Sequence, residues 1–201
     1  MTKSSLREIE SVKSFTYNEP LFPSDRTRLR LNGSLKQLLD HITRRGSWFG
    51  GGSVAALSAA VAAALLEKLL THPQGRRRVH AIRRSCVALM ERDAIVFSRV
   101  IQATRTNRPR TVAQRLKVAI QVPCQVVRHA SAIQAACRAA QRYIKPRFQS
   151  DLRCAMAVAR AAEVSGLALI ETNLAWLDDP AHTKRIRRQL RSATHRHGAP
   201  R

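Results

Sequence analysis

A chain of 201 residues with 44% hydrophobic residues is long enough to form one domain with a substantial core, which excludes a wholly disordered protein. Only 4% of the residues are aromatic while Ala, Leu and Arg are abundant, so helices are favoured over strands. The formal net charge of +23 permits nucleic acid, anionic lipid or a multiply charged small substrate as a partner. No zinc finger, aromatic RNA-binding motif or recognisable helix-turn-helix accompanies this charge, so nucleic acid is possible but not favoured.

The first 32 residues lack a steady hydrophobic period and are predicted to form an N-terminal arm. Their opening, MTKSSLREIESVKSF, lacks the apolar stretch of a secretion signal. The longest charge-free apolar run, 54–66, is too short to cross a bilayer, so no membrane partner is expected. Four cysteines without metal-site spacing are typical of buried thiols in a reducing compartment. We therefore expect a cytoplasmic protein.

Two helices are predicted before residue 71. Ser34 is a suitable N-cap for SLKQLLDHITRR, whose apolar residues recur at the spacing of one helical face. Ser53 is a suitable N-cap for a second helix that runs to about Leu70 and is apolar on almost every side. Its many alanines would let neighbouring helices approach closely, so we expect it to be the central, buried helix.

Three more helices are predicted after the THPQG segment. The first is long and spans about 77–104, and the second spans about 111–142 with a kink at Pro123. The third runs over 150–177, with Ser150 as its N-cap.

Asp178, Asp179 and Pro180 then begin a final basic helix, AHTKRIRRQLRSA. The predicted fold is therefore all-α: a single-domain bundle of about six helices, several of them long and antiparallel, around a buried small-residue helix. The helical domain is expected over 33–193 and a disordered basic tail over 194–201.

The segment Gly50, Gly51, Gly52 and Ser53 is the first candidate for a functional site. Glycine lets a ligand approach the main chain, and a helix N-terminus presents unpaired N–H groups and the positive end of its dipole. The segment therefore indicates a site for an anion or a polar oxygen. The alternative is a flexible connection that only turns the chain.

Asp93 is the second candidate, because it interrupts the buried stripe of the long helix with a carboxylate. A buried charge is costly unless it is paired, protonated or functional. Arg83, Arg84 or Arg92 could instead hold it in a structural ion pair.

Three further polar residues are considered. Ser150 and Asp151 open a helix, where a hydroxyl cap and an acidic first turn are favoured by stability alone. Asn173 falls on an apolar face, where a hydrogen bond in the core is the simplest explanation. The seven histidines show no ligand spacing, and no metal site is predicted.

In order along the chain, these segments resemble the formiminotetrahydrofolate cyclodeaminase / methenyltetrahydrofolate cyclohydrolase family. The amphipathic helix, GGGSVAA and the small-residue helix match the opening of that family. GRRR at 75–78, ERDAIVFSRV, AIQVPCQVV, QSDLRCA and ETNLAWLDD follow in the same order. The resemblance covers about 34–190.

The resemblance implies the family's all-helical fold, a homodimer, and a tetrahydrofolate derivative as substrate, with no metal. The activity would be either cyclodeaminase on 5-formiminotetrahydrofolate or cyclohydrolase on 5,10-methenyltetrahydrofolate. Asp93 would be the charge-stabilising or general-base carboxylate and Asp151 a second catalytic carboxylate. The substrate-binding residues would be Gly50, Gly51, Gly52, Ser53, Ser150, Asn173, Arg76 and Arg77, with the two arginines holding the glutamate tail.

The chain also departs from the family's pattern. Phe49 stands where the family has proline, Leu169 occupies an asparagine position, and Ile144-Lys145 replaces a Gly-Asn pair. An alternative hypothesis is therefore a catalytically inactive member whose basic surface binds nucleic acid or another polyanion. A further alternative is a structural helical subunit that pairs with another enzyme.

Overall fold

The computed structural model describes residues 35–105 and 108–198 of the chain. The predicted arm over 1–32, the proposed cap Ser34 and residues 199–201 lie outside the described residues. The described part contains α-helices and one short 3₁₀ helix but no strand, so the prediction of an all-α bundle is confirmed. Its helices are α1 Leu35–Thr43, α2 Gly51–Leu69, α3 Pro73–Arg105, α4 Pro109–Ala119, α5 Gln121–Ala140, α6 Gln149–Leu177 and α7 Pro180–Gly198, with the 3₁₀ helix Pro146–Phe148 before α6.

The long helices are antiparallel, as predicted. The first turn of α2 lies against Asp93 of α3, while Glu67 near the end of α2 bonds to Arg83 of α3. Helix α6 runs opposite to α2 in the same way. Its Leu169 lies beside Gly51 at the start of α2, and its Asp151 pairs with Lys68 at the end of α2. Helix α2 therefore runs opposite to both of its main neighbours.

Helix α2 is the central helix, because it packs against α3, α5 and α6. Its inner faces are mostly alanine and almost fully buried, and such small side chains let the surrounding helices come close. In length and composition α2 could cross a membrane. However, 56% of that stretch is buried inside the bundle, which is typical of the core helix of a globular domain.

The predicted helix over 111–142 is two helices. The two helices meet at Ile120, three residues before Pro123, where the backbone keeps right-handed helical angles. Proline has no N–H, and its ring conflicts with the carbonyl group four residues earlier, here that of Ala119. The expected kink is therefore a short break between α4 and α5.

Two of the three serines predicted to cap helices, Ser53 and Ser150, lie inside the helices instead. Gly50 is the N-cap of α2 and Phe148 is the N-cap of α6, and neither makes a side-chain cap hydrogen bond. The prediction was wrong because each helix begins earlier than the serine. The hydroxyl of Ser53 is consequently available for a contact between helices.

Helix boundaries differ from the sequence prediction at two more places. Helix α3 begins at Pro73, since proline suits the first turn of a helix, where its missing N–H is no loss. Helix α7 extends to Gly198 and so includes 194–198 of the segment for which a disordered tail is predicted. Asp178, with a positive φ of 51°, ends α6 and turns the chain into α7.

Candidate functional site

The carboxylate of Asp93 lies against the first turn of α2. Its Oδ2 is 3.1 Å from Oγ of Ser53, and the backbone N–H of Ser53 also donates to the carboxylate. The N-terminus of α2 carries a partial positive charge from the helix dipole, which favours an anion at this position. The glycine segment and Asp93, separated by 40 residues in sequence, therefore form one site.

Gly52 makes this approach possible. A Cβ added to Gly52 would lie 2.1 Å from Oδ1 of Asp93, a distance that no side chain could occupy. Gly50 differs, because a Cβ there would meet nothing within 4 Å. Gly52 is thus required by the contact with Asp93, whereas Gly50 and Gly51 are exposed at the surface beside it.

Asp93 is half-buried and is not held by an ion pair within the described part of the chain. The alternative of a structural pair with Arg83, Arg84 or Arg92 is therefore not realised; Arg83 pairs with Glu67 instead. Burial raises the pKa of Asp93, and the hydrogen bonds donated by the side chain and backbone of Ser53 partly oppose this rise.

The hydroxyl of Ser53 connects Asp93 to the main chain of α3. Its Oγ is 3.0 Å from the carbonyl oxygen of Met90 and 3.1 Å from Oδ2 of Asp93. When Asp93 is ionised, the single hydroxyl proton of Ser53 is donated to one of these two oxygens or shared between them. When Asp93 is protonated, it can donate to Oγ and leave the hydroxyl proton to Met90. Proton transfer at Asp93 is therefore coupled to the orientation of the Ser53 hydroxyl.

Helix α6 contributes the neighbouring surface. A Cβ on Gly51 would be 3.6 Å from Cδ2 of Leu169, so Leu169 lies beside the exposed glycines. Asn173 follows one turn later on α6 and is half-buried. Its side-chain amide makes no hydrogen bond within the described residues, so the explanation as a core hydrogen bond is not supported there. Asn173 lies at the same end of the bundle as Asp93.

Asp151 lies at the opposite end of α2. Its Oδ2 is 3.3 Å from Nζ of Lys68, in the last turn of that helix. With a rise of 1.5 Å per residue, the fifteen steps from Ser53 to Lys68 separate the two ends by about 22 Å. The structure therefore does not bring Asp93 and Asp151 together within one chain. Ser150 is exposed beside Asp151.

Arg76 and Arg77 belong to the same distant end. They are exposed in the first turns of α3, next to a groove of about 390 Å³. The groove lies between the end of α2, the start of α3 and the end of α5, and five of its eleven lining residues are alanines of α5. Arg78 and Tyr143 are its polar lining residues. The candidate residues are thus divided into a cluster around Asp93 and a cluster around Asp151.

Two polar clusters were missed by the sequence analysis. Ser85 Oγ is 2.9 Å from Nε2 of His129, between α3 and α5, and burial is the main cause that lowers the pKa of His129. Glu67 binds both Arg83 and His80, and these hydrogen bonds lower its pKa. The Ser85–His129 pair joins residues 44 positions apart, so no local pattern could have indicated it.

Phe49, one of the departures from the family's pattern, is buried and contributes to the core. Its backbone N–H donates to Oγ of Ser47 at 3.1 Å, and its ring lies near that of His41. Proline could not make that hydrogen bond. The connection into the glycine segment is therefore held by a backbone hydrogen bond that a proline at position 49 would lack.

Among the described residues, no group of three His, Cys, Asp or Glu side chains could hold a metal ion.

Comparison with known proteins identifies relatives of this fold. A model of the formiminotransferase-cyclodeaminase family matches residues 34–192. The crystal structure of formiminotetrahydrofolate cyclodeaminase from Thermotoga maritima superposes with a TM-score of 0.73 at 20% sequence identity, covering 80% of this chain and 88% of that chain. No curated protein matches the sequence. At this identity the structural likeness concerns the fold.

Proposed function

Because the chain belongs to the formiminotransferase-cyclodeaminase family, we propose that it is an enzyme of folate one-carbon chemistry. Its substrate would be either 5-formiminotetrahydrofolate, cyclised with loss of ammonia, or 5,10-methenyltetrahydrofolate, hydrolysed at its one-carbon bridge. The observation that carries this proposal is the carboxylate of Asp93, desolvated and held at the N-terminus of α2 beside exposed glycine backbone.

Both reactions make similar demands on the protein. In the cyclisation, N10 attacks the formimino carbon, a C–N bond forms, N10 loses its proton, and the amino group leaves as ammonia after protonation. In the hydrolysis, water attacks the bridging carbon and loses a proton, and one of the two C–N bonds then breaks. Each needs a proton acceptor and negative charge near a cationic carbon. A carboxylate with a raised pKa can supply both.

The remaining residues are assigned by their place in the bundle. Exposed Gly50 and Gly51 leave room for the substrate beside α2, and the half-buried amide of Asn173 has hydrogen-bonding capacity to orient it. Ser53 is a positioning residue, because it bonds the carboxylate through both its side chain and its backbone.

Ser150, Asp151, Arg76 and Arg77 lie too far from Asp93 to act on the same substrate atoms within one chain. We assign them to the site through a homodimer. A two-fold axis perpendicular to α2, near its middle, would pair the α2 helices of two subunits antiparallel. The cluster around the partner subunit's Asp151 would then lie towards Asp93. Exposed Val54 and Val61 on α2 support this packing, since they leave an apolar stripe between the two clusters.

An assay of both reactions with the purified protein tests the proposal. Wild type should hydrolyse methenyltetrahydrofolate or cyclise formiminotetrahydrofolate faster than buffer, and Asp93→Asn should reduce the better activity by about 10²–10⁴-fold, as expected for loss of a general acid–base group. Asn can still hydrogen-bond Ser53, so the fold should be kept. Asp40→Asn, an exposed carboxylate on α1, is the matched control and should retain full activity. Full activity of Asp93→Asn, or no activity of wild type on either substrate, would contradict the proposal.

A further inference from the structure

Helix α7 is docked on the bundle with a buried histidine in its first turn. His182 is 5% exposed, and Ile186 follows one turn later on the same face and is fully buried. Helix α5 is the main neighbour of α7. Among the described residues, Ile186 is the one buried apolar side chain that α7 adds to the core, with Leu190 half-buried beyond it. The docking of α7 therefore rests on a small apolar contact that includes a titratable ring.

Both ring nitrogens of His182 favour the neutral form. Nδ1 lies 2.8 Å from Nη2 of Arg185, and because a guanidinium group only donates, Nδ1 accepts this hydrogen bond. The single proton of the neutral ring is then on Nε2. Within the described part of the chain, Nε2 of His182 is the one buried side-chain nitrogen or oxygen without a hydrogen-bond partner. A second proton, on Nδ1, would break the bond from Arg185 and place two cations in contact.

The charges around the ring also oppose its protonation. Burial is the main cause that lowers the pKa of His182, and the positive charges of Arg185 and of Lys117 on α4 lower it further. Asp179 acts in the opposite direction. However, its carboxylate already pairs with Lys117 at 2.8 Å and accepts the backbone N–H of His182 at 2.9 Å. The carboxylate that could offset a charge on the ring is therefore engaged before the ring is protonated.

The helices beside α7 supply no further free anion. Helices α4 and α5 contain no Asp or Glu. On α6, Glu171 pairs with Arg187, and Glu163 accepts a hydrogen bond from Gln134 of α5. Asp151 lies twenty residues before Glu171 on α6, about 30 Å away along the helix. Apart from buried thiols on α5, the titratable groups of α4 and α5 are basic: Arg110, Arg115, Lys117, Arg128, His129 and Arg138.

We propose that His182 is a pH switch that releases α7 from the bundle in acid, while the other helices stay packed. Release exposes the ring to water, where its pKa has the ordinary value of 6.5. The docked ring binds a proton less tightly, so the contribution of His182 to docking is complete above 6.5 and is lost as pH falls towards the lower pKa of the docked ring. The switch is independent of the proposed folate chemistry, because His182 belongs to neither cluster of candidate site residues.

Amide hydrogen exchange of the full chain, followed by mass spectrometry from about pH 7.5 to about pH 5, tests the switch. Each rate is divided by that of an unstructured peptide at the same pH. In wild type, the protection of residues 180–191 should fall by about tenfold for the first pH unit below 6.5, since one proton favours the released helix. The protection of α2 should stay nearly constant. An equal loss in α2 and α7 would overturn the proposal, because the whole bundle would then open.

His182→Asn separates the ring from other causes of acid sensitivity. The asparagine oxygen can still accept from Arg185, but it does not titrate in this range, so the protection of α7 should no longer depend on pH. His72→Asn changes an exposed histidine just before α3 and is the matched control, which should keep the wild-type pH dependence. Persistence of the pH dependence in His182→Asn, or its loss in both variants, would refute the switch.

Nitrogen-15 NMR of the histidine rings in wild type provides a test that needs no variant. His182 should carry its proton on Nε2 at neutral pH and should titrate below 6.5. A proton on Nδ1 at neutral pH, or a pKa at or above 6.5, would overturn the proposal even if His182→Asn fails to dock α7.

Discussion

At the scale of single residues, the site depends on the contact between Asp93, Gly52 and Ser53. A carboxylate can enter the first turn of α2 only because Gly52 lacks a Cβ, and it is held there by the side chain and backbone of Ser53. Burial raises the pKa of this carboxylate, and the two hydrogen bonds from Ser53 partly oppose that rise. Geometry and protonation are thus set by the same three residues.

The first prediction concerns Gly52. Gly52→Ala should lower the free energy of unfolding by about 1–3 kcal/mol, since its Cβ would collide with Asp93 and either α3 or the carboxylate must shift. Urea unfolding measures this change. Gly50→Ala is the control and should change stability by no more than about 0.5 kcal/mol, because its Cβ would enter open space. Equal effects of the two substitutions would show that the contact with Asp93 does not constrain the segment.

The second prediction concerns the pH dependence of stability. The pKa of Asp93 is raised in the folded state, so the folded protein binds this proton more tightly than the unfolded chain does. The contribution of Asp93 to the free energy of unfolding should therefore fall as pH rises above the ordinary value of 3.8 and become constant above the folded pKa. Relative to wild type, Asp93→Asn should gain stability over this window in urea titrations.

Asp179→Asn provides a control of opposite sign. The hydrogen bond from Lys117, followed by that from the backbone of His182, lowers the pKa of Asp179. Its contribution to stability is present above the ordinary value of 3.8 and is lost as pH falls towards the folded pKa, so Asp179→Asn should be less stable than wild type at neutral pH. The same pH trend in both variants would contradict the assignment of a raised pKa to Asp93.

At the scale of elements, α2 determines the arrangement of the candidate site. Its N-terminus meets Asp93, its C-terminus meets Asp151 through Lys68, and Ser53 and Lys68, which make these contacts, are about 22 Å apart along the helix axis. Its inner faces are buried alanines, while Val54 and Val61 remain exposed on its outer face. A second copy is the partner that would cover this stripe and also bring the two clusters together.

The third prediction tests that partner. Wild type should be a dimer in sedimentation or light-scattering measurements, and Val61→Glu should dissociate it, because a charge at the centre of an apolar interface is costly to bury. Folate activity should fall in parallel, since the site would lose one cluster. Val118→Glu, at a similarly exposed valine on α4, should leave the dimer intact. A monomeric wild type with full activity would refute the shared site.

At the scale of the whole molecule, the charges and the site clusters are distributed over different surfaces. The candidate site residues lie at the two ends of α2, whereas α7 carries six Lys and Arg residues and no Asp or Glu. The chain has 36 Lys and Arg residues but only 13 Asp and Glu residues, so most of its positive charge is not balanced within the chain. Of these cations, only Arg76 and Arg77 belong to the candidate site residues, so the charge excess lies largely outside them.

The sequence by itself determined the helical class, the central position of α2 and the family. These properties rest on local information: the period of apolar residues, the small side chains after GGGS, and the order of short motifs along the chain. Asp93 could also be selected from the sequence, because a carboxylate that interrupts an apolar stripe needs a partner. Local sequence patterns do not identify that partner, Ser53, because it lies 40 residues away along the chain.

Only the tertiary structure decided which candidates share a site. Ser53 was expected as a helix cap, yet its hydroxyl bonds across to α3, because α2 starts two residues earlier and turns Ser53 towards Asp93. Asp93 and Asp151 were expected in one site, yet antiparallel packing places them at opposite ends of α2. Periodicity fixes which face of a helix is buried. The pairing of residues across faces depends on the axial register of the helices, which is set by close packing of the whole core.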